Sequence, residues 1–518
     1  MKKKQKTTVT LLLMALLLLI SPTFTMAQDS ELTQDNELPK DSELPNYVTE
    51  AIVPVTLNNN ETSIKLLIDK KEIYPNVIEM MKMAKHEILL NMYLFGGDDN
   101  IYAEGPDYIG IGKHVIDIMA EKIATARANG EEFRIRIVAP KPSDMIEKQT
   151  EIKNTIKRVR SKLRHLLHMN ELPPPIEPPY EPVFDYAVDK EIAILSSNTD
   201  VMATPIGASW RLDHSKLLII DGKEALIGGM NFAECVSSNH DAMTRITGNV
   251  VSELKAIFAN AWYYSVQQAE HNGLPIDENL KDYDEIAATD PSIIEKHHKL
   301  RLNEGWEKGN IKLTLSAPYL RDSRDAVVSL LDSTVKGDSI MLEMLLLTDV
   351  PCIEALIRAH KREVDVKVIL DPNHSLYGVN CHGAPNIIAT KPFLEARLPM
   401  RNYSPKDSGQ ELHMKLLIVK KADGTTTFAM GSTNFTYGAF ESNFEMFAFY
   451  ENCEDTCSKL CETFKDDWDN HTHLPGREVT STGFLGLKPL SEEERYRKIT
   501  FLQKFLFIFL EERHEKWF

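Results

Sequence analysis

Residues 213–232 read DHSKLLIIDGKEALIGGMNF, and the fold is decided by how this stretch is read. Two apolar runs, 217–220 and 225–227, flank the polar turn Asp221-Gly222-Lys223-Glu224, the pattern of a β-hairpin. Side chains alternate along a strand, so His214 and Lys216 share one face. Asn231 lies just past the returning strand and can come back beside them. The arrangement recurs at 412–435, LHMKLLIVKKADGTTTFAMGSTNF. There His413 and Lys415 share a face, a turn surrounds Asp423-Gly424, and Asn434 follows a Gly-Ser return. One H-x-K says almost nothing, since any surface strand can supply it. Two copies, each with an apolar return, a Gly-Gly or Gly-Ser pair and x-Asn-Phe, form a constellation.

Outward from the hairpins, the chain is duplicated. A strand at Ile64–Ile68 precedes a helix near Tyr74–Lys85, a strand at Glu87–Tyr93, a helix near Gly112–Asn129 and a strand at Phe133–Val138. From Tyr319 the order returns: helix near Ala326–Val335, strand Ser339–Met344, helix Val350–Arg362, strand Val366–Leu370. Strands alternating with helices indicate an α/β sheet with parallel portions, and the repeated order indicates two lobes.

Such a set can do chemistry on phosphorus. One imidazole attacks and forms a phosphohistidine while the other protonates the leaving oxygen and later activates water. Two lysines and two asparagines stabilise the non-bridging oxygens as charge develops on them, and two facing lobes supply the in-line geometry.

These residues resemble the phospholipase D superfamily pattern H-x-K-x4-D-x6-G-[GS]-x-N. The resemblance runs from about 61 to 475 and takes in Tyr93, His240-Asp241, Phe258, Trp262, Ser442-Asn443-Phe444-Glu445, Phe464 and Trp468. It implies two pseudo-symmetric phospholipase D-like lobes, each a mixed β-sheet flanked by helices, packed face to face with the active site at their interface. The implied reaction is phosphodiester hydrolysis, or transfer to an alcohol, without metal or cofactor. The implied catalytic set is His214, Lys216, Asp221, Asn231, His413, Lys415 and Asn434, with Glu445 orienting an imidazole across the interface. It favours His214 as nucleophile and His413 as general acid, the reverse staying open. The second copy departs from the pattern. Lys420 stands where the family has Asp, with Asp423 as the candidate replacement, and the hairpin is four residues longer.

The 518 residues, 43% apolar and 26% charged, are those of a globular protein with more than one core. A basic start (Lys2–Lys6), an apolar run to Ile20 and a small-residue ending at Ala27 read as a secretory signal peptide over 1–27, so the protein is expected to be exported. A six-residue acidic repeat at 29–46 makes 28–60 a disordered linker. The first lobe is placed at 61–270, a polar, turn-rich connector at 271–310, the second lobe at 311–475, and an extension with an amphipathic helix at 476–518. An insert at 145–185 carries an apolar stripe, Ile152, Ile156, Val159, Leu163 and Leu166, with a polar face rich in Lys and Arg, and then a Pro-rich stretch. Cys453, Cys457 and Cys461 recur at i, i+4, i+8 on one helical stripe, where disulfide geometry is seldom met, so they read as small buried residues.

A net charge of −17 opposes binding to nucleic acid. With export and the basic helix, it favours a phospholipid substrate and peripheral membrane contact. The rivals are a secreted endonuclease on the same fold and a non-catalytic membrane- or partner-binding member. A cardiolipin-synthase-like transferase ranks last, because that resemblance implies membrane spans and no stretch beyond the leader approaches the ~20 apolar residues a span needs.

Overall fold

The computed structural model describes residues 51–96, 111–139, 186–187, 192–196, 213–233, 236–271, 276–317, 320–373, 375–376, 379–380, 385–405, 410–441 and 443–475. The leader, the acidic repeat, the insert at 145–185 and the extension from 476 lie outside the described residues.

The first half runs β1 (Asn59–Ile68), α1 (Asp69–Met83), β2 (Glu87–Met92), α2 (Ile111–Asn129), β3 (Arg134–Ala139), β4 (Ile192–Ser196), β5 (Lys216–Ile220), β6 (Glu224–Gly228), β7 (Ala242–Gly248) and α3 (Val250–His271). Helix α4 (Pro291–Asn303) follows. The second half runs β8 (Glu307–Ala317), α5 (Ser323–Asp332), β9 (Ser339–Met344), α6 (Val350–Lys361), β10 (Asp365–Leu370), α7 (Ile387–Ala396), β11 (Met400–Tyr403), β12 (Lys415–Lys420), β13 (Thr426–Gly431), β14 (Glu445–Glu451) and α8 (Glu454–Asn470).

Strand pairing repeats one order. The first half is β4-β3-β2-β5-β6-β7-β1. The second is β11-β10-β9-β12-β13-β14-β8. In each half the first three strands are mutually parallel and the remaining pairs antiparallel. Antiparallel pairing of β1 with β8, from Asn59↔Lys312 to Ile64↔Glu307, joins the halves into one mixed sheet.

Alternation sorts the side chains into cores. Leu217 and Ile219 of β5 and Leu416 and Ile418 of β12 enter one core shared by both halves, with Phe258 and Trp262 of α3 and Leu460 and Phe464 of α8. Leu218 and Ile220 turn to the core under α1 and α2. Leu417 and Val419 turn to its counterpart under α5, α6 and α7. Burying one such side chain contributes roughly 1.5–3 kcal/mol.

Two expectations are corrected. Structure begins before Ile64, the expected start: β1 opens at Asn59, and the chain from Ala51 lies along α3. There Val53 N–H donates to Asn260 Oδ1 and Asn58 N–H to Glu253 Oε1, both at 3.0 Å. These polar groups of α3 satisfy a backbone that residues 28–60 cannot satisfy alone. The connector at 271–310 is largely helical. Asp290 caps α4 by accepting from Ser292 N–H at 2.8 Å, with Pro291 in the first turn. Among the described residues no helix is long and apolar enough to cross a membrane.

Candidate active site

In the sheet register Lys216 faces Met92 and Lys415 faces Met344, so each H-x-K opens at the carboxyl end of a parallel strand. That end of an α/β sheet is where ligands are met. The two openings interlock through short parallel bridges, Asp213 with Phe444 and His240 with Leu412. His214 N–H donates to Phe444 O and His413 N–H to His240 O, each at 2.9 Å.

Each imidazole is oriented by a carboxylate from the opposite half. His214 Nδ1 lies 3.0 Å from Glu445 Oε1 and 3.1 Å from Oε2. Ser432 Oγ donates to Glu445 Oε2 at 2.6 Å. His413 Nδ1 lies 2.5 Å from Asp241 Oδ2. Asp241 was not among the expected site residues. It stands directly before β7, as Glu445 opens β14, and this equivalence of position is the signal by which it could have been found. The Gly-Gly and Gly-Ser pairs belong to this device. A Cβ at Gly229 would lie 2.2 Å from Asp241 Oδ1, so the short Asp needs glycine beneath it. In the second half Ser432 reaches the longer Glu instead.

The lysines are buried and anchored to their own motifs. Lys216 Nζ donates to His214 O and Lys415 Nζ to His413 O, both at 2.5 Å. Lys216 Nζ sits 5.1 Å from the centre of the Tyr93 ring, which meets the His214 ring edge-on with centres 4.6 Å apart. Burial holds the Lys216 ammonium well below its usual range, with Glu445 opposing the fall and the charge of Lys415 adding to it. Burial also lowers Lys415 to about 8. His413 falls to about 3 through burial and then the charge of Lys415, against the pull of Asp241. Glu445 rises to about 7 by burial, against Lys216. Lys216 acts on His413 and Lys415 on Glu445, so the two motifs make one site.

Asn231 is buried and its amide oxygen accepts from Leu94 N–H at 3.1 Å. Asn434 is buried too, and its amide oxygen has no partner among the described residues.

Asp221 is not in the site. It ends the turn at the far end of β5, about 16 Å along the strand from Lys216. Its carboxylate accepts from the N–H groups of Lys85, His86 and Glu87 at 2.8–3.0 Å, fastening the hairpin to the entry of β2. Lys420 leaves no gap in the second half, and Asp423 fills none, bonding only Thr425 among the described residues, within its exposed turn. Asp338, at the entry of β9, accepts from Ala422 N–H at 2.8 Å and Val335 N–H at 2.9 Å. The same fastening is made from the other partner. The thiols of Cys457 and Cys461 are 3.9 Å apart on α8 and unbridged.

Residues 327–468 match a family model described as cardiolipin synthase, PLD-like domain. The chain is 24% identical over 291 residues to a probable cardiolipin synthase, YwiE, of Bacillus subtilis (strain 168), covering 54% of this chain and 48% of that protein. It is 22% identical over 300 residues to cardiolipin synthase 2 of Bacillus cereus (strain ATCC 14579), covering 54% and 51%. The chain thus spans about half the length of the curated relatives it matches. Among solved structures, a phosphatidylserine synthase of Haemophilus influenzae Rd KW20 shares the fold with a TM-score of 0.51 at 13% identity, over 88% of this chain and 95% of that one.

Proposed function

We propose that this chain, a member of the phospholipase D superfamily, exchanges phosphodiester bonds of phospholipids through a phosphohistidine. The observation that carries the reading is the crossed pair of carboxylate-oriented imidazoles, His214 with Glu445 and His413 with Asp241. An imidazole that donates Nδ1–H to a carboxylate presents Nε2 to the substrate in a fixed tautomer.

His214 Nε2 attacks phosphorus, and the bond from phosphorus to the leaving oxygen breaks as His413 gives that oxygen a proton. His413 then takes a proton from water or an alcohol, whose oxygen attacks phosphorus and releases His214. Lys216 and Lys415 supply positive charge, and the side-chain NH2 of Asn434 supplies donors, to the negative charge that develops. Burial favours the neutral form of His413. The negative phosphodiester favours its imidazolium, so substrate arrival loads the acid.

The matches to cardiolipin synthases support an alcohol as acceptor beside water, the reading ranked last from the sequence. The leader pattern of Lys2–Ala27 supports export, and the basic, amphipathic sequence pattern within 145–185 supports contact with anionic lipid.

The test incubates purified protein with phosphatidylglycerol or phosphatidylcholine vesicles, with and without added glycerol, and with single-stranded DNA. Products are read by mass spectrometry. The expected result is head-group release to phosphatidic acid, partly replaced by a phosphatidyl-alcohol when glycerol is present. Cleavage of DNA with every lipid untouched overturns the reading.

A further inference from the structure

The residues that bridge the halves beside the two histidines occupy matching places, Phe444 before Glu445 and His240 before Asp241, yet they differ in kind. Phe444 is apolar and packs against Tyr264, ring centres 6.0 Å apart. His240 is fully buried, with a carboxylate at each ring nitrogen. Its Nδ1 lies 2.8 Å from Asp69 Oδ1 and its Nε2 lies 3.0 Å from Asp467 Oδ2. The ring stacks on Tyr403 at 5.6 Å.

We propose that His240 is a positioning residue for the reaction, a buried imidazolium that fixes Asp241, and through it His413, to the framework of both halves. The inference rests on the functional reading above for its kinetic arm and on geometry alone for its spectroscopic arm. Asp69 Oδ1 accepts from His240 Nδ1 and from Asp241 N–H at 3.1 Å, and Asp69 N–H donates back to Asp241 O at 2.9 Å. Asp69 takes a left-handed φ of 58° to close this ring at the end of the β1–β7 ladder. His240 N–H donates to Glu411 O and His240 O accepts from His413 N–H, both at 2.9 Å. One residue therefore grips α1 and α8 with its ring and the entry of β12 with its backbone.

The groups around the ring are Asp69 from α1, Asp467 from α8, Glu343 from β9 and Tyr403 from β11, with Asp241 next in the chain. Four carboxylates and no opposing cation among these favour the charged imidazole. Burial resists it, but the hydrogen bonds to Asp467 and Asp69 prevail and raise it to about 10. His240, Glu343 and Asp467 also offer ligand atoms within 4.8 Å of one another. In a metal site Nε2 would be a lone-pair donor. In the proposed arrangement it carries a proton to Asp467.

The experiment uses the full chain with 15N-labelled histidine, as wild type, His240→Gln and His240→Arg. In wild type at pH 8 the His240 ring should show two protonated nitrogens and be unmoved by added zinc or manganese. His240→Gln should shift the low-field Nδ1 proton of His413 and lower kcat on a soluble aryl phosphodiester at least 10-fold, with KM within about 2-fold. His240→Arg, which keeps the charge and the donors, should restore most of both. A neutral or metal-responsive His240 in wild type overturns the proposal, and needs no variant to fold. So does a His413 proton unmoved in a folded His240→Gln protein. Absent turnover in wild type, with the His413 proton shifting as expected, sinks the functional reading and leaves the positioning role standing.

Discussion

Neither catalytic imidazole is complete without a side chain more than 150 residues away in sequence, and this governs what single substitutions do. Ala at His214 or at His413 should abolish turnover, and the double variant should lose little more than either single one, because the two act as a unit. Steady-state rates of the three proteins decide it, and additive losses would mean separate sites. Asp241→Asn keeps the shape but lets the His413 tautomer go, so kcat should fall by at least ~100-fold with the melting temperature little changed. Gly229→Ala is sharper, since its methyl must displace the Asp241 carboxylate. It should cost activity far beyond any loss in urea resistance. The histidines and lysines were legible because strand alternation puts H-x-K on one face. Asp241 was not singled out, because an aspartate at the start of a strand looks like any turn residue until the fold lays it over Gly229 and beside His413.

At the level of elements, the hairpin turns show one task done by two routes. Asp221→Ala strips an acceptor from three backbone N–H groups and should lower stability by about 1–3 kcal/mol. Asp338→Ala should do the same in the second half, where Ala422 and Val335 lose theirs. Both variants should keep wild-type kcat when assayed well below their urea midpoints; a catalytic Asp221 would instead lose kcat first. The sequence showed an Asp missing at Lys420 but not its replacement, since Asp338 lies more than 80 residues upstream and meets the turn only across the β9–β12 pairing. Helix α4 carried a readable start, Asp290-Pro291, and was passed over because its surroundings are polar and its apolar stripe is thin. Only Ile294, His298 and Arg301 of it are buried.

For the molecule as a whole, the repeated strand order was legible from hydrophobic runs, whereas the joining of the halves through β1 and β8 was not, because both strands read alike whichever edge they pair with. Two buried charges set the pH range of stability. Burial opposes ionisation of Glu224, but the hydrogen bond from His297 and the charges of Arg245 and Arg301 lower it to about 2. That contribution is full above about 4.5 and is lost as pH falls through about 2. The charge of His240 contributes fully below about 6.5 and is lost as pH rises through about 10. Glu445, raised to about 7, costs stability progressively above about 4.5 and in full above about 7, while His413, lowered to about 3, costs it as pH falls below about 6.5, so the two slopes oppose each other between about 4.5 and 6.5. Melting temperature should therefore peak between about pH 4.5 and 6.5 and fall on both sides, and a peak above pH 8 would contradict these assignments.

The exchange of carboxylates between halves also bears on what a fragment can be. Each half holds one imidazole and the partner that the other half's imidazole needs. A lone half is therefore no weak version of the whole: it lacks the group that sets its own histidine. Complementation should be all or none. Two inactive fragments cut between Asn272 and Pro275 would regain turnover only on association. A lesion in one fragment's carboxylate would be felt at the histidine of the other.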